Sequence, residues 1–323
     1  MPRLALLLIF LFPACSGMPA TRDSDRAYVA GRTWVITGAS SGIGRGVAER
    51  AGALGANVVL AARRAAALEE VAGVIRASGG QALVVPTDVS DANAVEALAQ
   101  AAERRFGRID VWLNNAGVAP IGRFEEIPVA EHARTVEVNL TGVMYGTHAA
   151  LRRFRAQGFG VLMNTASVES YVPLAYHASY AATKGGIRNL DNALRQELRL
   201  AGLRERVRLV TIMPFTVDTP FWGNAANHTG RQPTGPLMDS ARDVADAIVW
   251  AGVHAHSGEF AVGVKALGAT VAAQVAPGPA TAISADVIHR MQMENAPPAP
   301  NRAGNLFAPS PERSRVEGGY ARR

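Results

Sequence analysis

Short apolar runs alternate with longer stretches of helical periodicity through most of this chain. After a polar lead-in at residues 20–31, the run WVIT ends at Thr37, and glycines and a helical stretch over residues 44–54 follow. The alternation then repeats. Strand-like runs fall at 57–62 (NVVLAA), from Ala82 (ALVVP), at 109–114 (IDVWLN), 160–167 (GVLMNTAS), 206–213 (RVRLVTIM) and around 259–264. Helical stretches run up to Ala77 and then over 91–106, 129–157, 177–201 and 240–253. Continuous Val/Ile/Leu-rich runs separated by amphipathic helices predict βαβ units, in which a parallel sheet is covered on both faces. Seven such runs predict one doubly wound, Rossmann-like α/β domain over residues 31–265.

Both ends depart from this pattern. In the C-terminal extension, residues 266–323, a short amphipathic helix is predicted over 279–292, with Ile283, Val287, Ile288 and Met291 on one face. From Ala296 the proline-rich APPAP and an arginine-bearing tail predict an extended or disordered end. Within the N-terminal residues 1–30, a wholly apolar run at 4–12 follows Arg3. It is shorter than the about 20 residues that span a bilayer. Three readings compete for it: translation that begins at Met18, a retained anchor on a membrane surface, and an export signal. The Met18 start is favoured. It leads to the expectation of a cytoplasmic protein, with membrane association through residues 4–12, or export, as alternatives.

Composition narrows the function. Hydrophobic residues make up 48% and charged residues 19% of 323, which excludes wholesale disorder. The formal net charge is +6, carried by arginine, since lysine occurs only at Lys184 and Lys265. No basic block is interleaved with aromatics, so no nucleic-acid partner is expected; a phosphate-bearing ligand suits the charge. Cys15 is the single cysteine, which excludes an internal disulfide and a multi-cysteine metal site, and no metal is expected.

The chemistry begins at TGASSGIG, residues 37–44, placed between the first strand and the first helix. Gly38, Gly42 and Gly44 permit a tight turn, and the backbone through Ser40, Ser41 and Ile43 can then approach a pyrophosphate at a helix N-terminus. The second strand ends in Arg63 and Arg64, with no carboxylate before Glu69. An acid there would hold the ribose hydroxyls of NAD, whereas arginine pairs the 2′-phosphate of NADP, so NADP is the expected cofactor. Tyr180 and Lys184 are four apart on a predicted helix and share a face. A free phenol has a pKa near 10, and a neighbouring ammonium lowers it toward the range of useful proton transfer.

TGASSGIG resembles the TGxxxGxG turn of the short-chain dehydrogenase/reductase family, in its single-domain branch. Further motifs match in order: Asp88-Val89, NNAG at 114–117, Asn139, Ser167 and YAATK at 180–184. The resemblance covers roughly residues 31–265. It implies an oxidoreductase that moves a hydride between NADP(H) and an alcohol or carbonyl substrate. It further implies Tyr180 as general acid/base and Ser167 as hydrogen-bond donor to the substrate oxygen. Lys184 would hold the nicotinamide ribose, and the Asn139 backbone a water that links the lysine to solvent. Asp88 and Val89 would hold the adenine; Asn114, Asn115, Ala116 and Gly117 would line the cofactor, although the family also uses NNAG to brace the sheet. In PFTVDT, Pro214, Val217 and Thr219 match the segment that holds the carboxamide, while Phe215 stands where the family usually has glycine. A dimer or tetramer is implied as well.

Phe221, Trp222, Leu237 and Met238 in the following segment suggest a small apolar substrate. His177 is assigned no role. Two rival readings are a noncatalytic dinucleotide-binding sensor or scaffold, and a dehydratase or epimerase on the same fold.

Overall fold

The computed structural model describes residues 17–310 and 314–321. The apolar run at 4–12 and Cys15 lie outside the described residues. Seven strands form the central sheet: β1 Thr33–Thr37, β2 Asn57–Ala62, β3 Gln81–Pro86, β4 Val111–Asn114, β5 Gly160–Thr165, β6 Val207–Pro214 and β7 Gly258–Val262. All pairings are parallel, in the spatial order β7-β6-β5-β4-β1-β2-β3. The chain therefore reverses its winding direction between β1 and β4. At such a switch point the loops after neighbouring strands part, and a crevice opens at the carboxyl ends of the strands.

The helices are α1 Gly42–Ala53, α2 Ala65–Ala77, α3 Ala92–Phe106, α4 Val129–Val136, α5 Gly142–Gln157, α6 Ala178–Leu200, α7 Ala241–His254, α8 Gly263–Val275 and α9 Pro277–Ile288, besides shorter turns. Every residue of β1 is buried, because its alternate side chains enter different cores. Trp34 and Ile36 pack with Leu60, Ile75 and Ile248 on one face. Val35 packs with Val59, Leu98, Trp112 and Phe154 on the other. This double burial explains why the strands read as continuous apolar runs. Local signals set the helix ends. The Asp91 carboxylate accepts from the Asn93 and Ala94 amides and starts α3, and Gly107, at φ 77°, ends it.

Three stretches differ from the expected pattern. The helix predicted over 129–157 is broken by a π turn at Glu137–Thr141, which contains Asn139; such turns are frequent at functional sites. The strand predicted around 259–264 ends at Val262, and Gly263, at φ 83°, turns the chain into α8. That helix is too uniformly apolar and Ala-rich to show a helical period. Within the predicted 279–292 helix, Ile288 is buried whereas Val287 is 39% exposed. The proline-rich end lies extended against the domain where it is described, with Leu306 and Val316 buried and bridges from Asn227 to Arg302 and from Arg231 to Pro298. Among the described residues no helix is long and apolar enough to cross a membrane.

Candidate active site

The crevice is built first from backbone. Gly38 and Gly42 take φ values of 67° and 57°, which side chains disfavour. A Cβ on Gly38 would come within 2.8 Å of the Ala116 Cα, and one on Gly44 within 2.6 Å of the Asn115 Nδ2. The turn and the NNAG segment thus touch backbone to backbone, and Thr37 locks them by accepting the Asn115 and Ala116 amides at 2.9 and 3.2 Å. The N-terminus of α1 opens into the space left bare. A glycine-rich turn at a helix N-terminus fits the pyrophosphate of a dinucleotide.

Gly38, Ser40, Ser41, Gly42 and Ile43 line this crevice, as do Arg63, Arg64, Asp88, Val89, Asn115, Ala116 and Gly117. Pro214, Val217 and Thr219 close its far end, and Phe215 lines it too. Gly44 packs behind the turn. Of the two expected roles of Asn114, the structure shows the bracing of the sheet and corrects the place along the cofactor: it accepts from the Trp112 indole and donates to Asn164, both at 2.8 Å. Asn164 in turn donates to Asp191 at 2.6 Å, and Thr211 donates to the other Asp191 oxygen at 2.7 Å. Burial pushes the Asp191 carboxyl up to about 7, against the pull of these hydrogen bonds.

Three predicted catalytic residues meet on one wall. Ser167 lies just beyond β5; its hydroxyl accepts the Glu169 amide at 3.1 Å, capping a short turn, and its side chain draws the pKa of the Tyr180 phenol downward. Tyr180 and Lys184 sit on the first turns of α6. The Lys184 Nζ donates to the Thr165 carbonyl at 2.6 Å and lies 5.3 Å from the centroid of the Tyr180 ring. Burial pushes Lys184 down to about 8, countered by the charge of Glu169. Burial pushes the Tyr180 phenol well up, Glu169 adds to this, and the Ser167 side chain opposes it.

Asn139 stays behind the wall. Its side chain accepts the Val118 amide and donates to the Val118 carbonyl, both at 2.8 Å, and donates to the Thr183 hydroxyl at 3.3 Å. It therefore ties the segment after NNAG to the helix that carries Tyr180.

Several groups in the site carry no sequence signal, because their partners are remote along the chain. His177 is 2% exposed; its Nδ1 lies 3.2 Å from the Glu169 carboxylate and its Nε2 3.2 Å from the Gln292 amide. The carboxylate of Asp88, an expected adenine partner, accepts from Ser90 and pairs with Arg134 at 2.8 Å. The C-terminal segment crosses the mouth of the crevice. Arg63 donates to the carbonyls of Asn305, Leu306 and Phe307 at 2.5, 3.3 and 3.2 Å. Arg64 donates to the Ser40 hydroxyl at 3.2 Å and the Ser310 carbonyl at 3.4 Å. The Gly42 amide donates to the Arg315 carbonyl at 2.9 Å. Among the described residues no cluster of His, Cys, Asp and Glu could hold a metal ion.

A family model described as short chain dehydrogenase matches residues 32–230, which include β1 to β6 and both halves of the crevice. The uncharacterized oxidoreductase YxnA of Bacillus subtilis is 34% identical over 223 residues, 68% of this chain and 62% of that protein. The chain thus matches less than two thirds of that relative's length. An alcohol dehydrogenase from the archaeon Thermococcus sibiricus, solved with 5-hydroxy-NADP, is 29% identical at a TM-score of 0.62, covering 71% of this chain and 94% of that one. A short-chain dehydrogenase/reductase from Burkholderia phymatum, solved with NAD, is 31% identical at a TM-score of 0.63, covering 69% and 86%. The architecture, the crevice and these likenesses agree: the chain belongs to the short-chain dehydrogenase/reductase family of oxidoreductases.

Proposed function

We propose that this protein is an NADP-dependent oxidoreductase that interconverts an alcohol and a carbonyl group, with Tyr180 giving or taking the proton. The observation that carries this reading is the meeting of Ser167, Tyr180 and Lys184 on one wall of a crevice that also contains the glycine cradle. A nicotinamide dinucleotide, when bound, supplies or accepts the hydride. The chain's own residues do the rest. Ser167 offers its hydroxyl to the substrate oxygen and stabilises charge that develops there. In reduction the Tyr180 phenol gives its proton to that oxygen; in oxidation its phenolate takes the proton of the alcohol. Lys184, anchored on Thr165, keeps an ammonium near the ring and favours the phenolate that burial disfavours.

Preference for NADP is supported by Arg63 and Arg64 at the end of β2, where no carboxylate stands. On this reading the 2′-phosphate replaces the tail carbonyls that Arg63 now holds, because a guanidinium–phosphate contact is stronger than one to a neutral acceptor. A pyrophosphate likewise replaces the Arg315 carbonyl at the Gly42 amide. An apolar substrate is supported by Phe221, whose ring centroid lies 5.7 Å from that of Tyr180, and by Trp222 beside it. Met238 packs in the same cluster, whereas Leu237 is 50% exposed and lies outside that wall. By family resemblance, and by its need for NADPH, the protein is read as a cytoplasmic dimer or tetramer.

The test is direct. Purified protein, incubated with NADPH and a panel of aldehydes and ketones, should consume NADPH, and alcohols should reduce NADP in the reverse direction. Tight NADPH binding with no turnover across the panel would favour the noncatalytic reading instead.

A further inference from the structure

Glu169 is a carboxylate where the reaction as written has no use for one. It lines the crevice two residues beyond Ser167 and is 8% exposed. One oxygen, Oε1, faces His177 at 3.2 Å. The other, Oε2, is buried and has no hydrogen-bond partner among the described residues. A carboxylate oxygen held out of water without a donor is costly, because its hydration is lost and nothing replaces it. It also works against the chemistry, since its negative charge raises the phenol of Tyr180.

The surroundings hold this oxygen in place. His177, 2% exposed, is fixed between Glu169 and the Gln292 amide, and Gln292 donates to the Thr234 carbonyl at 2.6 Å. Gln292 belongs to the C-terminal extension and Thr234 to the loop before α7, so three separate segments converge to orient one side chain. Glu169 also favours the Lys184 ammonium through its charge, but among the described residues no salt bridge joins the two, and the near contact of the carboxylate is the His177 ring. Unlike a buried amide, a carboxylate accepts at both ends whichever way it is turned.

We propose that Glu169 is a substrate-recognition residue whose free oxygen accepts a hydrogen bond from a second donor group on the substrate, close to the carbon that is oxidised or reduced. This rests on the alcohol/carbonyl reading above and narrows its substrate class. The preferred substrates are diols and hydroxy-carbonyl compounds on an apolar skeleton, or their amino-alcohol counterparts. Their donor satisfies Oε2, and their carbon frame meets Phe221 and Trp222. Binding the donor also disperses the charge that disfavours the Tyr180 phenolate.

The experiment compares cyclohexanol, 1,2- and 1,3-cyclohexanediol and 2-aminocyclohexanol with the wild-type protein and with Glu169→Gln and Glu169→Met. Two readouts are taken: kcat/KM for NADP reduction, and equilibrium binding by calorimetry without turnover. A charge-assisted hydrogen bond is worth about 1.5–3 kcal/mol, so at least one donor-bearing probe should be favoured over cyclohexanol by about tenfold or more. The diol and amino-alcohol arms tell a hydroxyl donor from an ammonium. Glu169→Met should remove the preference. Glu169→Gln, which keeps the shape and the His177 contact, should reduce it to about threefold, as a neutral acceptor does. Equal handling of all probes by the wild type, or a full preference in Glu169→Gln, overturns the proposal. If no probe is turned over, the calorimetric preference alone decides the role of Glu169, and the wider substrate panel decides the reaction.

Discussion

The ammonium of Lys184 donates to the carbonyl of Thr165 at 2.6 Å, so the last residue of β5 fixes the cation beside Tyr180. The sheet, not solvent, positions that charge. Lys184→Ala should lower kcat by about 10²-fold or more, the scale of losing effective acid–base catalysis. It should also weaken NADPH binding, because the same ammonium is read as holding the nicotinamide ribose. Initial rates and a fluorescence titration separate the two effects. Unchanged values for both would remove Lys184 from the account.

Arg63→Ala should weaken NADPH binding by roughly 1–3 kcal/mol, the scale of a charge-assisted contact. NADH has no 2′-phosphate, and its binding should change little. Calorimetric titration with each cofactor checks this, and equal losses for both would contradict the assigned role.

The tail makes a separate prediction. Val316 is 3% exposed against Gly46 of α1, and the neighbouring Arg315 carbonyl occupies the Gly42 amide. A carboxylate cannot stay in that apolar contact, so Val316→Asp should lift the tail rather than break the core. The freed Gly42 amide should then bind NADPH more tightly, by about threefold to tenfold, for about 1 kcal/mol of competing hydrogen bond. Equilibrium dialysis against wild type measures it. Weaker binding would mean that the tail helps to hold the cofactor.

These cases mark how far the sequence could be read. Strands such as Trp34–Thr37 announce themselves because burial on both faces leaves no polar positions to alternate. Tyr180 and Lys184 were legible as neighbours on one helix face, and Ser167 joined them only through the family resemblance. His177 was not. Its meaning depends on Gln292, 115 positions away, and on which oxygen of Glu169 it reaches. Arg63 was read as a phosphate ligand from its place after β2, but the carbonyls of Asn305, Leu306 and Phe307 leave no trace in composition. Backbone acceptors are the same in every residue. Nor did the apolar positions of α4 and α5 reveal the π turn at Asn139, since one extra residue shifts the helical period only slightly.

Asp191 links the buried network to pH. Its folded-state pKa is raised to about 7 from 3.8, chiefly by burial. Between these values the unfolded chain has released a proton that the folded protein keeps, so stability falls as pH rises from about 4 to 7 and levels off above that. Asp191→Asn removes this dependence. The melting temperature of the variant relative to wild type should therefore rise between pH 5 and pH 8. A constant difference across that range would show that Asp191 is ionised in the folded protein throughout.

The central claim is that Tyr180 transfers the proton. Tyr180→Phe keeps the ring against Phe221 and removes only the hydroxyl. The decisive measurement pairs single-turnover NADPH oxidation, with a carbonyl substrate accepted by the wild type, and NADPH affinity in the same variant. The account predicts a rate reduced by about 10²–10⁴-fold, with cofactor affinity nearly unchanged. A rate within a few-fold of wild type would contradict it.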